Sequence, residues 1–369
     1  MTQVTVLGGG QLGWMLGLAG QPLGLDFTFL DPSPDAPARH VGQLVVGGLD
    51  DPAAAAKAAA GAAVVTYEWE GVPAETAHAL ALDGPVLPSA RALEVSQDRV
   101  TEKETFRSLG ITTAPFRAVD DRASLDAAVR ELGLPAVLKT RRGGYDGKGQ
   151  AVLRTPADVD AAWTELGGVP LILEGFMPFD RELSIVAVRS RDTDDIRDWA
   201  VVENTHVGGI LRVTRAPAPG LTASLQTRAQ ACIFPLLESL DYVGVACVEL
   251  FEVGDELLAN EWAPRVHNSG HWTIEGAATS QFENHLRAVL GWPLGSTETR
   301  RLSTMVNCIG GMPATPEVLL TPGAHPHDYG KAPRSGRKVG HVTVVANDQA
   351  LLDVRLARVQ PLVDAVTAG

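Results

Sequence analysis

Three observations predict an α/β fold with a parallel sheet at the N-terminus, followed by a mixed α+β region. Residues 1–98 alternate short apolar strands with helices, the pattern of a parallel sheet with helical crossovers. A glycine-rich turn, Gly8-Gly9-Gly10-Gln11-Leu12-Gly13, joins the first strand to the first helix. From Ala114 the strands lengthen and a hairpin follows, which marks a change of fold class.

In chain order, Val4–Leu7 reads as a strand, Gln11–Ala19 as a helix and Phe27–Leu30 as a strand. Leu44–Val46 is a further short strand, Pro52–Ala60 an alanine-rich helix and Ala63–Thr66 a strand. The run from Asp31 to Pro37 holds three prolines, which block helix and ladder alike, so it is a loop. Ser96–Leu109 is expected to be one helix opening a second unit. Helices follow at Ser124–Leu132, Ala157–Leu166 and Ala223–Leu240, and a hairpin at Tyr242–Phe251 and Glu256–Ala263. After Pro293 come short apolar segments and a basic, glycine-containing tail.

The 369 residues suit two or three domains. Hydrophobic residues at 45% and charged residues at 20% fit a soluble globular protein. A formal net charge of -13 argues against extended nucleic acid as a partner, so any anionic ligand needs local cations. Cys232, Cys247 and Cys308 are scattered without metal-like pairing, which suits a reducing cytoplasm. No signal-peptide pattern and no membrane-length apolar run are visible.

Five groups of residues carry candidate chemistry. The opening turn fits G-x-G-x-x-G, and Asp31 ends the second strand where a dinucleotide-binding acid would sit. The same turn also fits a ligand-free strand-to-helix corner, or a helix N-terminus holding another phosphate. The second group is Arg141-Arg142-Gly143-Gly144-Tyr145-Asp146-Gly147-Lys148-Gly149-Gln150 after Lys139. Glycines let backbone N–H groups approach a ligand, and cations beside such nests bind phosphate. No Ser or Thr follows Lys148, so this is a triphosphate flap between strands rather than a P-loop.

The third group is a carboxylate hairpin. A three-residue turn, Gly254-Asp255-Glu256, would pair Val253 with Leu257 and place Glu249 opposite Glu261. Opposed like charges on apolar strands call for a cation, and Mg²⁺ takes a few carboxylate oxygens plus phosphate and water. Two glutamates on a wet sheet face are the alternative. The fourth is Ala263-Pro264-Arg265-Val266-His267-Asn268-Ser269-Gly270-His271, where Arg265, His267 and Asn268 are substrate-contacting candidates and His271 a structural one. The fifth gathers Lys331, Arg334, Arg337, Lys338 and His341, either a phosphate or carboxylate site or a solvated basic turn.

Taken together these residues resemble the ATP-grasp ligases, in particular those that act on a purine-precursor ribonucleotide. The resemblance runs from the opening glycine turn to Gly336-Arg337-Lys338-Val339-Gly340-His341. It implies an N-terminal pre-ATP-grasp domain (1–98), a two-lobed ATP-grasp domain (99–295) and a small C-terminal domain (296–369). It implies that Arg99 and Lys139 contact ATP phosphates and that Gly144, Tyr145, Asp146, Gly147, Lys148, Gly149 and Gln150 form the flap. Glu174, Gly175, Phe176 and Met177 would be the adenine-contacting linker, Glu182 would hold the ribose, and His206 would lie near the nucleotide. Asn260 would border a Mg²⁺ held by Glu249 and Glu261. Tyr145, Arg265, His267 and Asn268 would surround bicarbonate, with Lys331 also catalytic. Gln11, Leu12, Glu68, Lys331, Arg337 and Lys338 would bind aminoimidazole ribonucleotide, the last two at its phosphate. The implied reaction is ATP-dependent carboxylation of that ribonucleotide through carboxyphosphate, in a cytoplasmic homodimer. One departure stands out: many ATP-grasp enzymes carry asparagine where this chain has Ala263, and Asn268 or water would then complete the metal shell.

Overall fold

The computed structural model describes residues 2–144 and 148–367. The first unit runs β1 (Thr2–Leu7), α1 (Gln11–Gly20), β2 (Leu25–Asp31), β3 (Gln43–Val46), α2 (Pro52–Ala59), β4 (Val64–Tyr67), α3 (Ala74–Leu80) and α4 (Ala90–Ser96). Its strands form a parallel sheet in the order β3-β2-β1-β4. Val4, Val6, Phe29 and Val64 are fully buried, as expected for strands covered on both faces by helices.

The helix expected over Ser96–Leu109 is α5 (Arg99–Ser108), starting three residues later than expected and preceded by the separate α4. Asp98 sets that start: its backbone is extended, and its carboxylate accepts from the N–H groups of Val100 and Thr101 as the cap of α5. The next unit is β5 (Phe116–Val119), α6 (Arg122–Leu132), β6 (Ala136–Thr140), β7 (Gln150–Leu153), α7 (Pro156–Leu166) and β8 (Leu171–Gly175). It is an antiparallel sheet in the order β5-β8-β6-β7, with Leu125, Leu138, Leu153 and Leu171 in its own core. This is the small lobe.

The large lobe contains β9 (Arg181–Arg189), β10 (Ile196–Asp198), β11 (Val202–Val207), β12 (Ile210–Ala216), α8 (Ala223–Ser239), β13 (Gly244–Val253), β14 (Glu256–Ala263), α9 (Thr273–Gly276) and α10 (Gln281–Val289). The chain then forms β15 (Leu302–Ile309), α11 (Thr315–Leu319), β16 (Ala324–Asp328), β17 (Lys338–Ala346) and α12 (Gln349–Thr367). Among the described residues, β9 to β17 make one nine-stranded sheet ordered β14-β13-β9-β11-β12-β15-β17-β16, with β10 on β9. The C-terminal strands thus extend the large-lobe sheet, β15 pairing with β12 from Val213↔Val306 to Ala216↔Ser303. The fold is mixed α/β with a parallel N-terminal sheet, as the sequence pattern predicts.

Candidate active site

The opening glycine turn is filled by the protein itself. The carboxylate of Glu68, just beyond β4, accepts from the N–H groups of Gly10 (2.9 Å) and Gly13 (3.0 Å) at the start of α1. A Cβ on Gly8 or Gly10 would lie 2.6 Å from a Glu68 side-chain atom, and Gly8 also has φ of +102°. Asp31 is likewise engaged, accepting from Gly9 N–H at 2.8 Å. A dinucleotide pyrophosphate would need the helix end that Glu68 occupies. In this structure Glu68 holds that helix end. Burial raises the carboxyl of Glu68; its N–H donors and the charges of Lys331 and Arg265 offset part of that rise.

Lys331, from the segment between β16 and β17, donates to Gln11 Oε1 at the first turn of α1. The start of α1 and the β16–β17 segment meet there, beside Glu68. Leu12 places its side chain in the core with Val4, Val6 and Met15, so only its backbone can face a ligand. Arg337 is partly exposed and donates to Ala332 O, and Arg334 is exposed. The positive charge of Lys338 reaches Glu70, Glu249 and His267. His341 does not join this basic cluster. It is fully buried, bonds Tyr329 Oη at 2.7 Å and stacks on His327 with ring centroids 4.3 Å apart.

The hairpin places Glu249 opposite Glu261, but not by the expected route. The turn has two residues, Gly254-Asp255, so Val253 pairs with Glu256 and Leu250 with Ala259. A bulge at Asn260 then shifts the register by one and brings Glu261 level with Glu249. The shorter turn and the bulge compensate. The Glu249 carboxyl is pushed up to about 7, first by its removal from water and next by the charge of Glu261. Among the described residues no group of three or more His, Cys, Asp and Glu side chains is arranged to hold a metal. Two opposed carboxylates with mutual repulsion fit a hard divalent ion that takes its other ligands from phosphate and water.

His267 lies against this pair, its Nε2 3.3 Å from Glu249 Oε1. Its Nδ1 accepts from Ser269 N–H at 3.3 Å and contacts Ser269 Oγ at 2.8 Å. A chain of hydroxyl and amide donors stands behind it: Thr214 to Asn204, Asn204 to Ser184, and Ser184 to Ser269. With Nδ1 an acceptor, the ring proton sits on Nε2 and points at Glu249. Burial, with Arg265 and Lys338 adding to it, pushes the imidazole well below its ordinary range, so it is neutral. Arg265 ion-pairs with Glu70 through Nε and donates from Nη1 to Val266 O. Asn268 exchanges both amide hydrogen bonds with Asn307, which leaves it poorly placed to replace the absent asparagine at Ala263.

On the nucleotide side, Lys139 Nζ bonds Glu174 Oε2 at 2.9 Å, and the buried Lys103 lies 3.6 Å from Oε1 of the same carboxylate. Burial alone would raise Glu174, but Lys103 and Lys139 hold it down at about 2. The side chain of Glu174 is thus a counterion to two lysines. Gly175 closes β8, and Phe176 is exposed just after it. Arg99 donates to the carbonyls of Thr140, Gly143 and Gly144, clamping the root of the glycine loop. Gly144 and Gly149 have φ of +78° and +69°, and Gln150 opens β7 opposite Lys139. Tyr145, Asp146 and Gly147 lie outside the described residues, and Lys148 is exposed. His206 Nδ1 and Glu182 Oε2 are 2.8 Å apart; burial lowers the imidazole pKa, but Glu182 and Glu249 raise it further.

Sequence reasoning missed Glu70, Glu102, Lys103, Ser184, Ser269 and Asn307. Lys103 carried a signal: Val100, Lys103 and Phe106 recur at helical spacing on the buried face of α5.

The pattern described as the ATP-grasp domain matches residues 104–282. The ribonucleotide synthetase preATP-grasp domain matches 1–97, and the phosphoribosylaminoimidazole carboxylase C-terminal domain matches 303–355. The chain is 52% identical to the N5-carboxyaminoimidazole ribonucleotide synthase of Pseudomonas aeruginosa over 98% of its own length and 100% of the relative's. The crystal structure of the synthetase from Thermus thermophilus superposes with a TM-score of 0.94 at 56% identity, covering 97% of this chain and 98% of that one. The Aspergillus clavatus synthase, in complex with ADP and 5-aminoimidazole ribonucleotide, superposes with a TM-score of 0.91 at 33% identity, covering 100% and 99%. The chain belongs to the N5-carboxyaminoimidazole ribonucleotide synthase family.

Proposed function

We infer that this chain carboxylates the exocyclic amine of 5-aminoimidazole ribonucleotide, using ATP and bicarbonate and releasing ADP and phosphate, in purine biosynthesis. One observation carries the reading. Glu249 and Glu261 stand opposite each other across the hairpin; Lys103 ties the carbonyl of the adjoining Asn260 to Glu174, and so to Lys139, on the nucleotide side, while His267 meets Glu249 on the other side. The acidic pair is thus joined to the nucleotide-side lysines and to the His267 segment, as a transfer from nucleotide to acceptor requires.

The chemistry follows in two steps. A bicarbonate oxygen attacks the γ-phosphorus of ATP, the bond to the bridging oxygen breaks, and ADP leaves. The substrate amine then attacks the carboxyphosphate carbon, phosphate departs with the bonding pair, and the amine loses a proton. Glu249 and Glu261 would hold Mg²⁺, which supplies neutralisation of the phosphoryl oxygens. Lys139 meets the same oxygens, aimed by its hydrogen bond to Glu174. Neutral His267 presents its Nε2–H toward Glu249. Arg265, oriented by Glu70, provides positive charge for the small anion. Gln11, Glu68 and Lys331 face the base and ribose, and Arg337 and Lys338 the ribonucleotide phosphate. The glycine loop, with Tyr145 in it, shields labile carboxyphosphate from water. A homodimer in the cytoplasm, with domains at 1–98, 99–295 and 296–369, completes the proposal.

The test is to follow ADP release and labelled bicarbonate incorporation with each substrate omitted in turn. Incorporation that depends on ATP and on aminoimidazole ribonucleotide is expected. Tight binding of a nicotinamide dinucleotide without ATP binding would overturn the reading.

A further inference from the structure

β14 is an edge strand, so the outward N–H and C=O groups of its backbone lack a neighbouring strand. Three groups take their place. Thr112 O accepts from Ala259 N–H at 2.8 Å. Lys103 Nζ donates to Asn260 O at 2.6 Å. Glu102 Oε1 accepts from Trp262 N–H at 2.7 Å. The last two are consecutive residues of α5, and they grip the peptide groups on either side of Glu261. They do so at the bulge that brings Glu261 level with Glu249. Both side chains are almost wholly enclosed, at 3% and 1% exposure. Enclosing an ammonium and a carboxyl group costs several kcal/mol unless each is hydrogen-bonded, so the arrangement calls for a role.

We propose that Glu102 and Lys103 are positioning residues that hold the Asn260 bulge open and thereby aim Glu261 at the metal. A regular hairpin continued from the two-residue turn would pair Glu249 with Asn260 and put Glu261 on the opposite face of the sheet. The bulge corrects the face, and α5 fixes the bulge. Lys103 also reaches Glu174, the counterion of Lys139. One buried ammonium therefore sets the metal strand of the large lobe against the phosphate lysine of the small lobe.

The inference rests on Glu261 being a metal ligand, and the experiment separates the two. Mn²⁺ binding in the presence of ADP is measured by the electron paramagnetic resonance signal of free Mn²⁺. The proteins are wild type, Glu261→Gln, Lys103→Met, Glu102→Ala and Glu102→Gln. Amide hydrogen exchange over residues 257–263 is measured alongside. Lys103→Met and Glu102→Ala should each weaken Mn²⁺ by about 10- to 100-fold, the range for removing a group that orients a ligand. Exchange at Trp262 N–H should accelerate in Glu102→Ala. Glu102→Gln keeps an oxygen acceptor for that N–H and should recover most of the affinity. Glu261→Gln binding Mn²⁺ like wild type would refute the metal reading itself. Loss in Glu261→Gln with wild-type affinity in folded Lys103→Met and Glu102→Ala would overturn the positioning role alone. If Lys103→Met does not fold, the Glu102 pair decides: equal affinity in Ala and Gln overturns the proposal, and rescue by Gln supports it.

Discussion

Lys139 and Glu174 form a 2.9 Å ion pair between adjacent strands of the small lobe, with Glu174 almost fully enclosed. Two lysines share that one carboxylate, so its loss strands the buried Lys103 and the partly buried Lys139.

Glu174→Gln should therefore destabilise the protein by about 3–5 kcal/mol at neutral pH. The carboxyl is held at about 2 against an ordinary 4.5. Its stabilisation is fully present above about 4.5 and is lost as pH falls toward 2. Urea midpoints of both proteins should converge over that window. A gap that persists unchanged to the lowest pH would mean that the ion pair is not its source.

Glu249→Gln and Glu261→Gln should each lower turnover by at least about 100-fold, the scale of removing an electrostatic contact to a reacting centre. Stability of the metal-free protein should behave oppositely. Glu249 is raised from 4.5 to about 7, so the folded state binds more protons between those values and wild type loses stability as pH rises through them. At pH 8 Glu249→Gln should be at least as stable as wild type, and the gain should vanish below about 4.5. Thermal melts across pH would show it.

His267 should be neutral and protonated at Nε2 in the metal-free protein from pH 6 to 8. Nitrogen-15 shifts of the labelled imidazole read this directly. A spectrum with the proton on Nδ1 would contradict the donor chain that runs through Ser184 and Ser269.

Arg337→Ala and Lys338→Ala should raise KM for the ribonucleotide far more than KM for ATP. Steady-state kinetics with each substrate varied would distinguish them. A rise confined to ATP would move both residues to the nucleotide site.

Local pattern carried much of this far. β1, α1, β2, β4 and the hairpin follow from period and turn chemistry. The pairing of Glu249 with Glu261 follows from counting along the hairpin, but the two-residue turn and the bulge that produce it do not. A bulge depends on partners far along the chain, here residues 102 and 103, which no local pattern reveals. The glycine turn was ambiguous for the same reason, since its ligand is Glu68, 58 residues from Gly10. α12 is hard to read from sequence because Pro361 lies inside it and exposed Leu351 and Val354 blur its apolar stripe. His341 sat in a basic stretch of sequence, yet β17 turns it into the interior.

The seam between β12 and β15 has a consequence for modularity. Three sequence patterns divide the chain, but the third begins inside a ladder that it shares with the second. Cutting before β15 would not release a separable piece. It would bare the flank of β12, with unpaired N–H and C=O groups from Val213 to Ala216, and leave a sticky edge prone to recruiting other chains. The C-terminal strands cannot be swapped between relatives like a cassette unless β12 travels with them. Fusions and truncations of this enzyme should therefore be planned around sheet order, and not around the boundaries that sequence similarity draws.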